Sequence, residues 1–236
     1  MSTVIKEFSR FAHQYDEHNE IQAKVAKKLV EKLPKKQYRS ILDIGSGSGE
    51  VCKNIMHQRI HFDLFTAFDS AENMLSLHPQ AKNINKICGN FNKEGFSTLL
   101  EQDTYDVILS SSALQWSEDL DFTLSHITSL SKRLYAAIFT SNTFKTLHKT
   151  ANVDSPIYSA EEVERSIRKY YPQSHFELHC YTLYFDSTRE MFRYIKKSGV
   201  SSGEKKLSFK ETKRLMEEYP LDHLEFEVLF VEAKNV

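Results

Sequence analysis

The chain has no long apolar run, few cysteines and almost no excess charge of either sign, and each shortage removes a class of protein. Nowhere does it hold the ~18 consecutive apolar residues that a membrane span needs, and the first residues, Met-Ser-Thr-Val-Ile-Lys-Glu-Phe, carry no apolar leader. A cytoplasmic protein without a membrane partner is expected. Three cysteines, Cys52, Cys88 and Cys180, are odd in number and far apart, which argues against a disulfide framework and against a zinc site. A formal net charge of −1 sets aside binding to nucleic acid dominated by phosphate contacts. An Asn/Asp-Pro-Pro-aromatic motif of the kind used on flipped bases is also missing. There are no internal repeats, low-complexity stretches or Pro/Gly-rich linkers, so one domain over 1–236 is expected. The hydrophobic share of 40% is ample for its core.

Glycine is scarce as well, with seven in 236 residues, yet three of them fall within five positions. Residues 41–50 read Ile-Leu-Asp-Ile-Gly-Ser-Gly-Ser-Gly-Glu, an apolar strand running into a turn at Gly45, Gly47 and Gly49. Residues without a Cβ let a backbone bend tightly and approach a ligand. The spacing is G-x-G-x-G, not the G-x-G-x-x-G of dinucleotide sites, and no Lys-Ser/Thr pair of a P-loop follows. Asp43 lies in the strand before the turn. Asp69 ends the next apolar run, Phe65–Phe68, where a nucleotide-binding α/β unit places the carboxylate that accepts from ribose hydroxyls. Together these residues point to a nucleoside cofactor without a pyrophosphate.

Short apolar runs alternate with helical segments, the pattern of a doubly wound α/β sheet. Strands are expected near 39–44, 63–68, 84–88, 105–111, 133–140, 175–185 and 224–233. Helices are expected over 19–33, 48–58, 71–77, 119–131, 160–170, 188–198 and 208–218. The last strand alternates cleanly, as an antiparallel strand with one wet face does. Ligands of open α/β sheets bind at the carboxyl ends of the strands. The search for chemistry therefore narrows to loops 45–49, 69–74, 89–93, 111–118 and 140–158.

Residues 41–50 closely resemble the first motif of class I S-adenosylmethionine-dependent methyltransferases. The resemblance implies a Rossmann-like fold: a seven-stranded, mostly parallel sheet with an antiparallel last strand and helices on both faces. It implies S-adenosyl-L-methionine as cofactor. Asp43, Gly45, Ser46, Gly47 and Gly49 would then hold the methionine end and Asp69 the ribose, with Ser70, Met74, Ser110 and Tyr15 as further contacts. After strand three the family usually has Asp on the adenine amino group; here Asn90 stands there, an uncharged acceptor, beside Phe91, which would pack on the ring. The family's Pro-Gly-Gly turn before strand five is replaced by 129–134, Ser-Leu-Ser-Lys-Arg-Leu.

A subfamily resemblance covers nearly the whole chain. Phe8-Ser9-Arg10-Phe11-Ala12-His13-Gln14-Tyr15-Asp16, Ala113-Leu114-Gln115-Trp116, the segment 139–147 and the segment Met191–Gly199 are similar to stretches of the malonyl-acyl-carrier-protein O-methyltransferases of biotin synthesis. In 139–147 the bulky Phe144 replaces the usual Gly. The resemblance implies a malonyl thioester as acceptor, on an acyl carrier protein or coenzyme A, with 1–18 as an N-terminal arm and 141–174 plus 186–222 as substrate-side cap elements. Candidates to hold the acceptor carboxylate are Arg193, Arg10, Gln115, Trp116, Ser141 and Thr143. On the sequence alone Arg193 reads first as a solvent-facing helix arginine, and only the subfamily resemblance lifts it above that; the lone tryptophan, Trp116, reads equally as an anchor packed on the sheet. Carboxylates ionise with pKa values near ~4, so such an acceptor needs no general base.

Another small carboxylic acid is a second possible acceptor, and a non-catalytic cofactor-binding protein is a reading from a different class. Residues 196–214 carry seven basic side chains against two acidic ones. That is a solvated helix face or a dock for an acidic carrier. The histidine pairs His13/His18, His57/His61 and His175/His179 lack a completing ligand, so no metal is expected. A monomer is expected.

Overall fold

The computed structural model describes residues 19–197 and 208–235. In chain order these are α1 (Glu20–Glu31), β1 (Tyr38–Ile44), α2 (Glu50–His57), β2 (Phe62–Asp69), α3 (Glu72–Leu77), β3 (Ile84–Cys88), β4 (Val107–Ser111), α4 (Leu120–Leu130) and β5 (Arg133–Phe139). There follow α5 (Lys145–Ala151), α6 (Ala160–Tyr170), β6 (Gln173–Tyr184), α7 (Thr188–Lys197), α8 (Phe209–Glu218) and β7 (His223–Lys234). Short 3₁₀ turns occupy Phe96–Leu99 and Leu114–Trp116.

The seven strands form one sheet in the order β3-β2-β1-β4-β5-β7-β6. The neighbours β3-β2-β1-β4-β5 are parallel, and β7 runs antiparallel to both β5 and β6. Alternation along β1 sends Leu42 and Ile44 to one face and Ile41 to the other. The first face packs on α4 and α6 through Leu124, Ile127, Val163 and Ile167. The second packs on α1 and α2 through Ala26, Val30, Cys52 and Ile55. Farther along the sheet the second face continues under α7 and α8, where Met191, Ile195 and Leu215 meet Phe226, Val228 and Phe230.

Helix starts follow local chemistry. Asp119 caps α4 by accepting from the Phe122 N–H at 2.9 Å, and Ser159–Glu162 and Ser208–Glu211 form capping boxes for α6 and α8. Lys32, just after α1, ties the helix to the far strands through Glu177 at 2.7 Å and Glu232 at 3.3 Å.

Two sequence expectations change. The alternation of β7 holds only over His223–Val228, where half-buried and buried residues alternate; β7 lies between two strands and is continuously buried from Val228 to Val231, whereas β6, at the sheet edge, has no fully buried residue. Helix α5 was not foreseen. Leu147 is its one buried side chain and no capping side chain opens it, so neither period nor cap signals it.

Because β7 is antiparallel to β5 and β6, all other strands end at one edge. There β7 begins, and the chain leaving β5 runs beside it: Thr140 N–H donates to Glu227 O at 3.0 Å and Phe144 N–H to Glu225 O at 2.8 Å. The connections 140–172 and 185–222 both leave the sheet at this carboxyl edge.

Candidate functional site

The glycine turn stands where β1 ends. Gly45 has φ +74°, and a Cβ on it would fall 2.1 Å from the Ala113 Cβ. The β1 turn and the β4 loop thus meet with no room for a side chain. At Gly49, φ +87°, a Cβ would strike Pro79 at 2.5 Å and the His78 ring at 2.7 Å. Gly47 has room for a Cβ, which would stand in ordinary contact with the Met74 methyl at 3.6 Å.

Asp69 gathers this turn. Its Oδ2 accepts from Gly47 N–H at 2.9 Å and its Oδ1 from Ala71 N–H at 2.8 Å. Burial raises its pKa, and the backbone donors pull it back down. The Ser70 N–H is a third backbone donor to this carboxylate; with room for about four acceptor contacts, Asp69 can still take one more. Asp43 is different. It is fully buried, and neither carboxyl oxygen has a partner. Burial first, and the Asp69 charge second, push its pKa well above the usual carboxylate range.

Asp43 is not alone. Around the ends of β1 and β4 the hydroxyls of Ser46, Ser48, Ser111 and Ser112 and the Oε1 of Gln115 are also buried without a partner. Buried polar groups are nearly always satisfied, so this concentration marks a place completed by a ligand. Ser110, expected as a contact, instead donates its hydroxyl to Ile44 O at 2.8 Å and locks β4 to the end of β1. The unpartnered hydroxyls are those of the next two serines, which a run of three identical residues could not reveal.

The neighbouring loops are stitched together. Asn90 accepts from Asn92 N–H at 2.9 Å in a tight turn, and Phe91 is half-buried against the core. Asn92 reaches across to the β4 loop, donating to Trp116 O at 3.1 Å and accepting from Glu118 N–H at 2.9 Å. Tyr158 donates to Ser117 O at 2.9 Å, and its own carbonyl accepts from Ser141 N–H at 2.8 Å. Asn92 and Tyr158 thereby join the loops after β3, β4 and β5. Sequence reasoning missed both, since each acts over a long chain separation. Half-buried Trp116 serves this junction through its backbone.

The acceptor-side candidates separate. Thr143 donates its hydroxyl to Glu227 O and accepts from Glu227 N–H, both at 3.1 Å, so it has no proton left to give a carboxylate. Gln115 donates Nε2 to Ser112 O at 2.8 Å. Its unpartnered atom is an oxygen, which repels a carboxylate. Arg193 is exposed on α7, and Ser141 is half-buried beside the loop junction. Ser70 and Met74 flank Asp69 and the turn, with Met74 buried. Arg10, Tyr15 and the rest of the arm lie outside the described residues, as do 198–207.

Within the described residues, the α8 part of the basic segment is balanced by acidic side chains of the same helix. In α8, Lys210, Lys213 and Arg214 are matched by Glu211, Glu217 and Glu218, with ion pairs Lys213–Glu217 at 3.8 Å and Arg214–Glu218 at 2.7 Å. His175 and His179 both aim Nε2 at Glu177 between them, at 3.4 and 3.2 Å. Lys32 first, and His179 after it, pull the Glu177 pKa down to about 2. Among the described residues no group of three or more His, Cys, Asp or Glu side chains has a metal-binding arrangement, and no helix is long and apolar enough to cross a membrane.

Residues 13–196 match a family model described as a methyltransferase domain. The chain belongs to the methyltransferase domain family. Its cofactor is S-adenosylmethionine, whose zwitterionic amino-acid end suits the orphaned hydroxyls and acceptors at β1 and β4. A malonyl-[acyl-carrier protein] O-methyltransferase of Bacillus cytotoxicus is 26% identical over 220 residues, covering 84% of this chain and 75% of that one. The fold is similar to that of the YcgJ protein from Bacillus subtilis, with TM-score 0.64 and 12% identity, covering 90% of this chain and 99% of that one. It is also similar to that of the plantazolicin methyltransferase BpumL in complex with SAH, with TM-score 0.53 and 17% identity, covering 96% and 90%.

Proposed function

We propose that this methyltransferase esterifies the free carboxylate of a malonyl thioester, carried by an acyl carrier protein or coenzyme A, in biotin synthesis. The observation that carries this reading is the similarity to a curated enzyme of that name over 84% of the chain. When bound, the cofactor supplies an activated methyl group on a sulfonium. The residues supply orientation, and aligning donor with acceptor is worth up to about 7–11 kcal/mol of barrier. The turn Gly45–Gly49, with Ser46 and Asp43, would hold the methionine end, Asp69 the ribose, and Asn90 with Phe91 the adenine. On the acceptor side Arg193 offers a planar fork to a carboxylate, and the Ser141 hydroxyl offers a single donor. Arg10 is a further candidate, with Trp116 lining the pocket.

A second reading takes a free small carboxylic acid as acceptor. It is favoured by the balanced charge of α8, which leaves that helix without a field to steer an acidic carrier.

One assay decides between them. The protein is incubated with S-adenosylmethionine and, in parallel, malonyl-carrier protein, malonyl-coenzyme A and free malonate, and products are read by mass spectrometry. A methyl ester on the thioesters well above that on free malonate supports the first reading. Esterification of free acids alone moves the assignment to the second. No ester on any of them refutes the first reading, and the second for malonate.

A further inference from the structure

We infer that Gln115 receives the ammonium group of the cofactor's amino-acid end through its side-chain oxygen and so sets preference for a zwitterionic ligand. Gln115 is 5% exposed, in the 3₁₀ turn that follows β4. Its orientation is fixed from one side: Nε2 donates to Ser112 O at 2.8 Å, and turning the amide over would set two oxygens against each other. Ser112 is itself held in place. Its N–H donates to Ala137 O at 2.8 Å on β5, and its backbone sits at φ +60°. The carbonyl that orients Gln115 is therefore anchored to the sheet.

Oε1 is left buried without a partner. An unsatisfied buried acceptor is unfavourable, and a ligand's N–H would satisfy it. Position supports this. Ala113, two residues before Gln115, is in contact with Gly45, so the glycine turn and the β4 loop form one wall.

The orphaned atoms along that wall divide by chemistry. The four serine hydroxyls can donate to a carboxylate. The carboxyl oxygens of Asp43 and the amide oxygen of Gln115 are acceptors that suit an ammonium. A neutral amide contributes such an acceptor without adding a third carboxylate beside Asp43 and Asp69, whose pKa values burial already raises.

The test is calorimetric and needs no acceptor substrate, so its outcome is separable from that of the proposed esterification. S-adenosylhomocysteine and its analogue lacking the α-amino group are titrated into the wild-type chain and into Gln115→Met, which keeps the volume and removes the acceptor. Loss of a hydrogen bond to a charged group predicts about ten- to a hundredfold weaker binding of S-adenosylhomocysteine. The analogue is expected to change by no more than about twofold, within the scatter of a packing change. Equal weakening of both ligands, or no weakening of either, overturns the inference. Gln115→Leu, which also lacks the acceptor, takes the place of Gln115→Met should that variant not fold, and the same two outcomes decide: selective weakening of the amino-bearing ligand supports the inference, and equal or no weakening overturns it.

Discussion

Asp43 and Asp69 stand on adjacent parallel strands at the same sheet edge, and only Asp69 has hydrogen-bond donors. The unpaired carboxyl is unfavourable for the free protein, and its raised pKa has a definite sign. The folded state binds this proton more tightly than the unfolded chain, so the group's contribution falls as pH rises above the unfolded value of 3.8. Asp43→Asn keeps the shape and removes the charge. It is expected to raise the unfolding free energy of the ligand-free protein at pH 7 by about 0.5–2 kcal/mol, while weakening S-adenosylmethionine binding. Urea denaturation and calorimetry read the two effects, and a variant that is both less stable and equally tight contradicts the assignment.

Asp69→Ala is expected to lose more. The carboxylate both organises the turn through Gly47 and offers a lone pair to a ribose, and hydrogen bonds to charged groups are worth roughly 1.5–3 kcal/mol each. The cofactor dissociation constant should rise by at least tenfold. An unchanged value removes Asp69 from the cofactor map.

Gly45 and Gly47 both have positive φ but differ in space. Gly45→Ala drives a Cβ to 2.1 Å from Ala113, whereas Gly47→Ala meets only the tip of Met74 at 3.6 Å. Gly47→Ala should destabilise by about 1–2 kcal/mol from backbone strain alone, and Gly45→Ala by clearly more. Adding Ala113→Gly should recover part of the Gly45→Ala loss and none of the Gly47→Ala loss, as measured by thermal denaturation in a double-mutant cycle.

Much of this fold was legible in the sequence because strand runs and helix periods coincide with buried faces. All seven strands and the helices at 20–31, 50–57, 72–77, 120–130, 160–170, 188–197 and 209–218 fall within a few residues of expectation. What escaped was relational. The glycine turn advertised a ligand, but which serine hydroxyl stays unpartnered depends on Ser110 finding Ile44 O across the sheet. Asn92 and Tyr158 look like ordinary loop residues until the fold sets them beside residues 116–118. Thr143 carried a plausible donor whose proton β7 had already claimed.

His78 supplies the acid limb of stability. It is buried against the Gly49 turn, its Nε2 has no partner, and burial lowers its pKa from 6.5 to about 4. The unfolded chain binds this proton between those values and the folded one does not, so stability falls as pH drops through that window. The loss is about 2 kcal/mol by pH 5 and about 3 kcal/mol in full. Buried His148 shifts in the same direction, and Asp43 in the opposite one. Urea unfolding at pH 7 and pH 5 should show a smaller pH difference for His78→Gln than for the wild type, and an unchanged difference rules His78 out as the source.

Phe144 carries the sharpest conflict between local and tertiary preference. A bulky residue at φ +58° opens α5, at a strain of roughly 1–2 kcal/mol. Tertiary contacts hold it there. Its ring is buried edge-on to Phe226 at 4.9 Å, and its N–H donates to Glu225 O at 2.8 Å. Phe144→Gly relieves the backbone and keeps that hydrogen bond, yet removes a buried ring whose loss is worth about 3–5 kcal/mol. The packing term is larger, so the variant should be less stable by about 1–4 kcal/mol. Phe144→Ala loses the ring without relieving the strain and should be less stable still. If Phe144→Gly proves as stable as the wild type, backbone strain and not the Phe144–Phe226 contact governs how the chain after β5 is held beside β7, and the turn carrying Ser141 owes its position to the backbone pairing with Glu225 and Glu227 alone.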